Sequence, residues 1–255
     1  MSIHIKDLQL TQSELERIKK IPRFTKGQTI LAGNEFYFID SASFISSYME
    51  IVKRSFYFFK SCNDFPLIID CGANIGLSTI YFKKLYPSAR ITCFEADENV
   101  ASVLGQNLKS FGFNDIDTRV SALWGKKCEM KFYSDGADGG KICTNMQNVQ
   151  LKKVETETLR NYLQSKIDLL KIDIEGAEIS VLQECADLLC NVKSLFVEYH
   201  CNRNEPIELS CLFSILEKAG FRLYMEPGTK VLNPFVQRHF YNEMEILLNI
   251  FAYRN

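Results

Sequence analysis

Between residues 67 and 225 the sequence alternates repeatedly between short apolar runs and longer amphipathic stretches. LIIDC at residues 67–71, RITCFE at 90–95, residues 117–123, IDLLKI at 167–172, SLFVEY at 194–199 and residues 221–225 read as strands. Residues 77–85, 98–111, 177–189 and 208–219 carry apolar side chains at helical spacing between them. Strands alternating with helices of this length specify an α/β architecture: a mostly parallel sheet, helices on both faces, right-handed crossovers. Ligands of such sheets bind outside the carboxyl ends of the strands. The residues that follow each strand are therefore the candidates for function.

Outside this repeat the pattern is less regular. Residues 11–20 read as a short helix with Ser13 as its cap, residues 35–40 as a strand, and residues 44–60 as a helix. Tyr48 and the aromatic run Phe56, Tyr57, Phe58, Phe59 read as packing. Residues 129–134 suggest an extra strand, followed by a Gly-rich loop at 135–140. Residues 156–163 read as a helix, and MEILLNIF at 244–251 as a last strand. Pro66 separates an N-terminal extension, 1–66, from the α/β domain, 67–255. The extension is expected to serve the substrate side or a contact with a second copy.

Composition narrows the class. Of 255 residues, 46% are hydrophobic and 24% charged, which excludes a disordered or collagen-like chain. A formal net charge of −1 gives no global field toward nucleic acid or an anionic membrane, so neither is an expected partner. No apolar run reaches the roughly 18 residues of a membrane span, and the basic-then-apolar pattern of a signal peptide is not visible. The nine cysteines are odd in number and form no CxxC pair. They read as buried, reduced thiols of a cytoplasmic protein rather than as a zinc site.

The chemistry gathers at the strand ends. Asp70-Cys71-Gly72-Ala73-Asn74-Ile75-Gly76 turns the first strand into a helix through two glycines. A dinucleotide fingerprint needs a third glycine, and Asp70 would oppose a phosphate, so a ligand bearing an amino group fits the turn better. Glu95 ends the next strand about twenty residues on, where a carboxylate accepts hydrogen bonds from a ribose diol. Asp173 ends the fourth strand, with Glu175 and Glu178 at a helix start where the dipole alone would favour them. Glu198 and His200 end the fifth. Two residues apart on a strand, they share a face. Asp173, Glu198 and His200 then form either a general-base site or a divalent-metal site.

DCGANIG after LII, FE at the second strand end, VETETLRNYL, and LLKIDIEGAE followed by VEYH resemble the FkbM-type methyltransferases, a class I S-adenosylmethionine (SAM)-dependent group, over residues 67–225. The resemblance implies a Rossmann-like three-layer sandwich around a seven-stranded sheet whose last strand is antiparallel, which suits residues 244–251. Carried over by motif, Asp70, Gly72, Asn74 and Gly76 would line the methionine end of SAM, Glu95 would hold the ribose, and Ser121 and Ala122 would lie near the adenine. Asp173 would sit beside the sulfonium and the acceptor. The family implies O-methylation of a sugar hydroxyl, nucleotide-activated sugars included, in surface polysaccharides or glycosylated natural products.

On this reading an acceptor hydroxyl loses its proton either to His200 as general base or to a hydroxyl-polarising Mg²⁺ or Mn²⁺ held by Asp173, Glu198 and His200. Acceptor selection would fall to residues 1–60, to the 135–140 loop, and to residues 228–242 with Lys230, Arg238 and His239. Two other classes stay open on the sequence: an NAD(P)-dependent Rossmann oxidoreductase, and a non-catalytic binding protein on a methyltransferase fold.

Overall fold

The computed structural model describes residues 3–134, 136, 139–142, 151–203, 206–228, 231–236 and 244–254. Its centre is a seven-stranded sheet built from β3 (Leu67–Cys71), β4 (Arg90–Glu95), β5 (Asp117–Val120), β10 (Ile167–Ile172), β11 (Val192–Asn202), β12 (Arg222–Pro227) and β13 (Met244–Tyr253). The order across the sheet is β12-β13-β11-β10-β3-β4-β5. β5, β4, β3, β10 and β11 run parallel, whereas β13 enters antiparallel between β11 and β12. This is the mostly parallel α/β sheet the alternation called for, in the Rossmann-like form with an antiparallel last strand that the resemblance implied.

The helices are α4 (Leu77–Leu85), α5 (Glu98–Ser110), α6 (Glu178–Glu184) and α7 (Leu209–Lys218). Two hydrophobic clusters lie on opposite faces of the sheet. Adjacent strand residues divide between them, as the two-residue period requires. Ile68, Cys93, Leu169 and Phe196 join α4 and α5, while Ile69, Phe94, Leu170 and Val197 join α6 and α7.

The N-terminal segment completes the first cluster. It comprises α1 (Ile3–Lys6), α2 (Gln12–Lys19), the hairpin β1 (Gly27–Leu31) and β2 (Asn34–Phe38), and α3 (Ser41–Tyr48). Ile5, Leu8, Ile18, Phe36 and Tyr48 are fully buried there. Asn107 of α5 clasps the backbone of Tyr37, accepting from its N–H at 2.7 Å and donating to its carbonyl at 2.9 Å. Thr11, not Ser13, caps α2 by accepting from Glu14 N–H.

Several local expectations give way to tertiary context. The helix expected over 44–60 leaves α geometry at Met49, where a π-helical turn, Met49–Lys53, follows α3, and Ser55 then takes a left-handed φ of 53°. The single strand expected over 117–123 breaks at Ser121, and β6 (Ala122–Leu123) departs to a second sheet. That sheet also contains β7 (Glu129–Tyr133), β8 (Lys141–Ile142) and β9 (Lys152–Glu157). β9 occupies the start of the helix expected over 156–163, because Thr156 and Glu157 pair with Ala122 and Leu123. Only a 3₁₀ turn, Leu159–Tyr162, follows it.

Among the described residues eight cysteines are free thiols; Cys62 and Cys190 are exposed, and Cys128 and Cys211 half-buried, where buried thiols were expected. Among the described residues no helix is long and apolar enough to cross a membrane.

Candidate active site

A cleft of about 1450 Å³ opens outside the carboxyl ends of β3, β4, β10 and β11. Its wall begins with the turn after β3. Gly72 (φ 80°) carries its backbone against the β10 end so closely that an added Cβ would lie 1.8 Å from the Asp173 carbonyl oxygen. Asn74 also takes a left-handed φ, 50°, the asparagine exception to the steric rule. Its N–H donates to Glu95 Oε2 at 2.9 Å, while Asp97 N–H donates to Glu95 Oε1 at 2.9 Å. Burial pushes the Glu95 carboxyl up to about 7, against the pull of those two N–H groups. Both oxygens are thus fixed in place, each with a lone pair left for a ligand.

Gly72, Asn74, Glu95, Ser121 and Ala122 line the cleft. Asp70 and Gly76 stand behind its wall. Asp70 is fully buried and accepts from Ser78 Oγ at 2.6 Å and Thr79 Oγ1 at 2.7 Å. Gly76 makes room for Leu104, whose Cδ1 would lie 2.6 Å from a Cβ there. Both shape the turn from below.

Asp173, Glu198 and His200 come together at the far side, joined by Glu175. His200 Nε2 is 4.0 Å from Asp173 Oδ1, 3.6 Å from Glu175 Oε2 and 3.8 Å from Glu198 Oε2. Its Nδ1 meets Glu178 Oε1 at 3.0 Å. Glu178, 1% exposed, also accepts from the N–H groups of Ile174 and Gly176. It therefore fixes both the turn and the imidazole, beyond any role at the helix dipole.

Burial works against charge on His200, but Glu175, Glu178 and Glu198 outweigh it and hold its pKa well above the usual range. Those carboxylates favour the imidazolium, which has no free lone pair, so His200 would serve as the expected base only after giving up that proton. Asp173 is held low: burial opposes ionisation, and Lys171 with His200 overcomes it. Burial and the Asp173 charge push Glu198 the other way, well above the carboxylate range.

Three contributors carry no functional role in the sequence reading, where one of them, Tyr57, counts as packing. Lys171 is 2% exposed, with its ammonium 3.2 Å from Asp173 Oδ2 and 3.5 Å from Asp70 Oδ1. A lysine between Leu170 and Ile172 in an interior strand was the available signal, since buried charges are paired. Glu50 and Tyr57, from the N-terminal segment, also line the cleft. Nothing in the local pattern marks them, because only the tertiary fold brings them there. Lys230, Arg238 and His239, and residues 135, 137 and 138 of the Gly-rich loop, lie outside the described residues.

A family profile described as the methyltransferase FkbM domain matches residues 70–223, from the β3 tip into β12. The chain belongs to the FkbM methyltransferase family. The FkbM match takes in the carboxyl ends of β3, β4, β10 and β11. Among relatives of this FkbM chain, methyltransferase sdnD of Sordaria araneosa is 30% identical over 53% of this chain and 66% of its own length. The 2-O-methyltransferase NoeI of Sinorhizobium fredii is 25% identical over 52% of this chain and 63% of its own. The crystal structure of methyltransferase FkbM from Methylobacillus flagellatus superposes with a TM-score of 0.52 at 14% identity, over 76% of this chain and 45% of that one. The chain thus matches slightly under two thirds of the length of sdnD and NoeI, and under half of the solved FkbM protein. That likeness carries the fold alone.

Proposed function

We propose that the chain is a SAM-dependent O-methyltransferase acting on a hydroxyl of a small polyhydroxylated acceptor such as a sugar. One observation carries the reading: the Glu95 carboxylate, both oxygens pinned by backbone N–H groups, shares one cleft with the ionised Asp173. The first suits a ribose diol and the second an acceptor hydroxyl. NoeI, a 2-O-methyltransferase by name, supports oxygen as the methylated atom.

The residues present fit SAM. Glu95 would hold the ribose, Gly72 and Asn74 would face the methionine end, and Ser121 and Ala122 would flank the adenine. When bound, SAM supplies an electrophilic methyl group on a sulfonium. The chain's own work is alignment and proton handling. Asp173, kept ionised by Lys171 and His200, accepts the proton of the acceptor hydroxyl. His200, steadied through Nδ1 by Glu178, holds the positive charge beside it.

A second reading follows from that same Glu178 contact. A histidine tied at Nδ1 by a carboxylate, with Nε2 facing further carboxylates, matches the outer-shell pattern of metal-ligating histidines. Asp173, Glu198 and His200, its ring proton displaced on binding, would hold Mg²⁺ or Mn²⁺ with Glu175 alongside, and the ion would polarise the hydroxyl as a Lewis acid. The donor atoms of Asp173, Glu175 and His200 lie within 4.8 Å of one another.

Transfer of labelled methyl from SAM to a panel of sugars tests the function. Turnover in Asp173→Asn is expected to fall at least about 10²-fold while S-adenosylhomocysteine (SAH) still binds. Absence of transfer to any hydroxyl, or an unimpaired Asp173→Asn, would reject the reading. Full turnover after exhaustive chelation would reject the metal alone.

A further inference from the structure

The N-terminal segment sends two polar side chains into the cleft that the chemistry above leaves unused. Glu50 sits in the π-helical turn that ends α3, a geometry often found at functional sites. Tyr57 follows after the left-handed residue Ser55. Its ring stands edge-on to Phe196 at 4.9 Å, with the Lys171 ammonium 5.7 Å from its centroid. Tyr57 is 7% exposed and lines the cleft, yet among the described residues no group hydrogen-bonds its hydroxyl. The Glu50 carboxylate likewise has no hydrogen-bond partner among the described residues. A phenol this buried normally finds a partner, so its place in the wall of an open cleft points to a ligand.

The surroundings say what kind of ligand. Asp173, Glu198, Glu50 and Asp70 all act electrostatically on the Tyr57 phenol, so four carboxyl groups surround it. The cations that reach Glu50, Arg54 and Lys171, already have partners. Lys171 holds Gly72 O and Asp173, and Arg54 pairs with Glu226 at 2.7 Å while stacking on Phe56. With those cations taken, the Glu50 carboxyl and the Tyr57 hydroxyl oxygen are the acceptors left at this corner, which faces Asp173.

We infer that Glu50 and Tyr57 form an acceptor subsite for a hydrogen-bond donor, a hydroxyl or a protonated amine, next to the hydroxyl that is methylated. A phosphate is repelled there. The inference rests on the transferase reading for the position of the reacting hydroxyl. It narrows the acceptor class to neutral or amino-bearing polyols at this end of the cleft.

The test uses the full chain saturated with SAH and three probes: glucose, glucosamine and glucose 6-phosphate, followed by saturation-transfer NMR. The native chain is expected to bind glucosamine most tightly and glucose more weakly, and to show no saturation transfer to glucose 6-phosphate. Glu50→Gln removes the amine preference, about tenfold, without moving the SAH affinity. Glu50→Asp, which keeps the charge, retains part of it. Tyr57→Phe weakens both unphosphorylated sugars.

Binding of glucose 6-phosphate as tight as that of glucose would overturn the subsite. So would native-like selectivity in Glu50→Gln, or no sugar bound at all. If the sugars bind in the expected order and no labelled methyl is transferred to them, the transferase reading fails and the subsite stands. Transfer that is unchanged in Glu50→Gln does the reverse.

Discussion

The ammonium nitrogen of Lys171 lies 2.9 Å from the carbonyl oxygen of Gly72. A side chain from β10 thereby clamps the turn after β3, and the same ammonium reaches Asp173 Oδ2 at 3.2 Å. The Gly72 wall and the Asp173 wall of the cleft are thus set by one cation. Asp70 Oδ1 depends on it too, having no hydrogen-bond partner. Replacing Lys171 by Met strips the fully buried Asp70 of its counter-charge and leaves Asp173 with His200 alone. Loss of one partner of a buried pair costs about 3–5 kcal/mol. Urea unfolding of Lys171→Met should show a loss of that order; a change under about 1 kcal/mol would mean that the pair is no better than a surface one.

Gly72 is the point of closest approach between the two walls. A methyl group there would overlap the Asp173 carbonyl, and the φ of 80° already disfavours any side chain. Gly72→Ala must therefore push β3 and β10 apart at their tips, and SAH affinity is expected to fall at least about tenfold. Gly112 has the same sign of φ, 71°, with open space around it. Gly112→Ala should lose only about 1–2 kcal/mol and bind SAH normally. Calorimetric titration of both variants compares backbone strain alone with strain plus collision. Equal SAH affinity in the two would refute the close-approach argument.

Glu95 gives the site a pH dependence. Its carboxyl is raised to about 7, so near neutrality the empty protein is a mixture of protonated and ionised forms. Ribose hydroxyls donate best to the ionised form. SAH affinity should therefore rise as pH increases through about 7, with proton release on binding. The folding linkage has the opposite sense: the raised pKa favours the native state at low pH and loses that contribution as pH climbs from 4.5 to about 7. Titrations in buffers of different ionisation enthalpy count the proton. Glu95→Gln should bind at least about tenfold more weakly, with no proton released; a native-like proton count in that variant would place the titrating group elsewhere.

How far the residues foretold this arrangement depended on whether the signal was local. The turn from Asp70 to Gly76, Glu95 and the pair Glu198 and His200 announce themselves because strand ends in a parallel sheet share one edge. The two-residue period then places Glu198 and His200 on one face. Thr156 misled: its neighbours read as a helix start, but backbone pairing with Ala122 made it a strand. Lys171 was visible in the motif, and its task was not, since a lysine's partners are set by the turn packed beside it. Glu50 and Tyr57 were beyond local reading altogether. They reach the cleft because α3 packs on α2 and the π-helical turn packs on α4, contacts that join residues far apart in the chain.

Asp40 governs how firmly that N-terminal segment is held. It caps α3, the helix that leads into the turn bearing Glu50. Its carboxylate accepts from Ser43 N–H at 2.9 Å, from Phe24 N–H at 2.6 Å and from Arg23 Nε at 2.9 Å. Burial resists ionisation, but these donors win and lower its pKa from 3.8 to about 2. A depressed acid contributes stability that is fully present above its unfolded pKa and is lost as pH falls through the folded value. The contribution here is about 2 kcal/mol, present above about pH 4 and lost toward pH 2. Asp40→Asn keeps the shape and removes the charge, so native and variant should differ by about 2 kcal/mol in urea at pH 7. The two should converge as pH approaches 2, since protonation makes the native side chain neutral as well. A constant difference across that range would show that Asn fails for steric reasons and that the Asp40 charge contributes nothing.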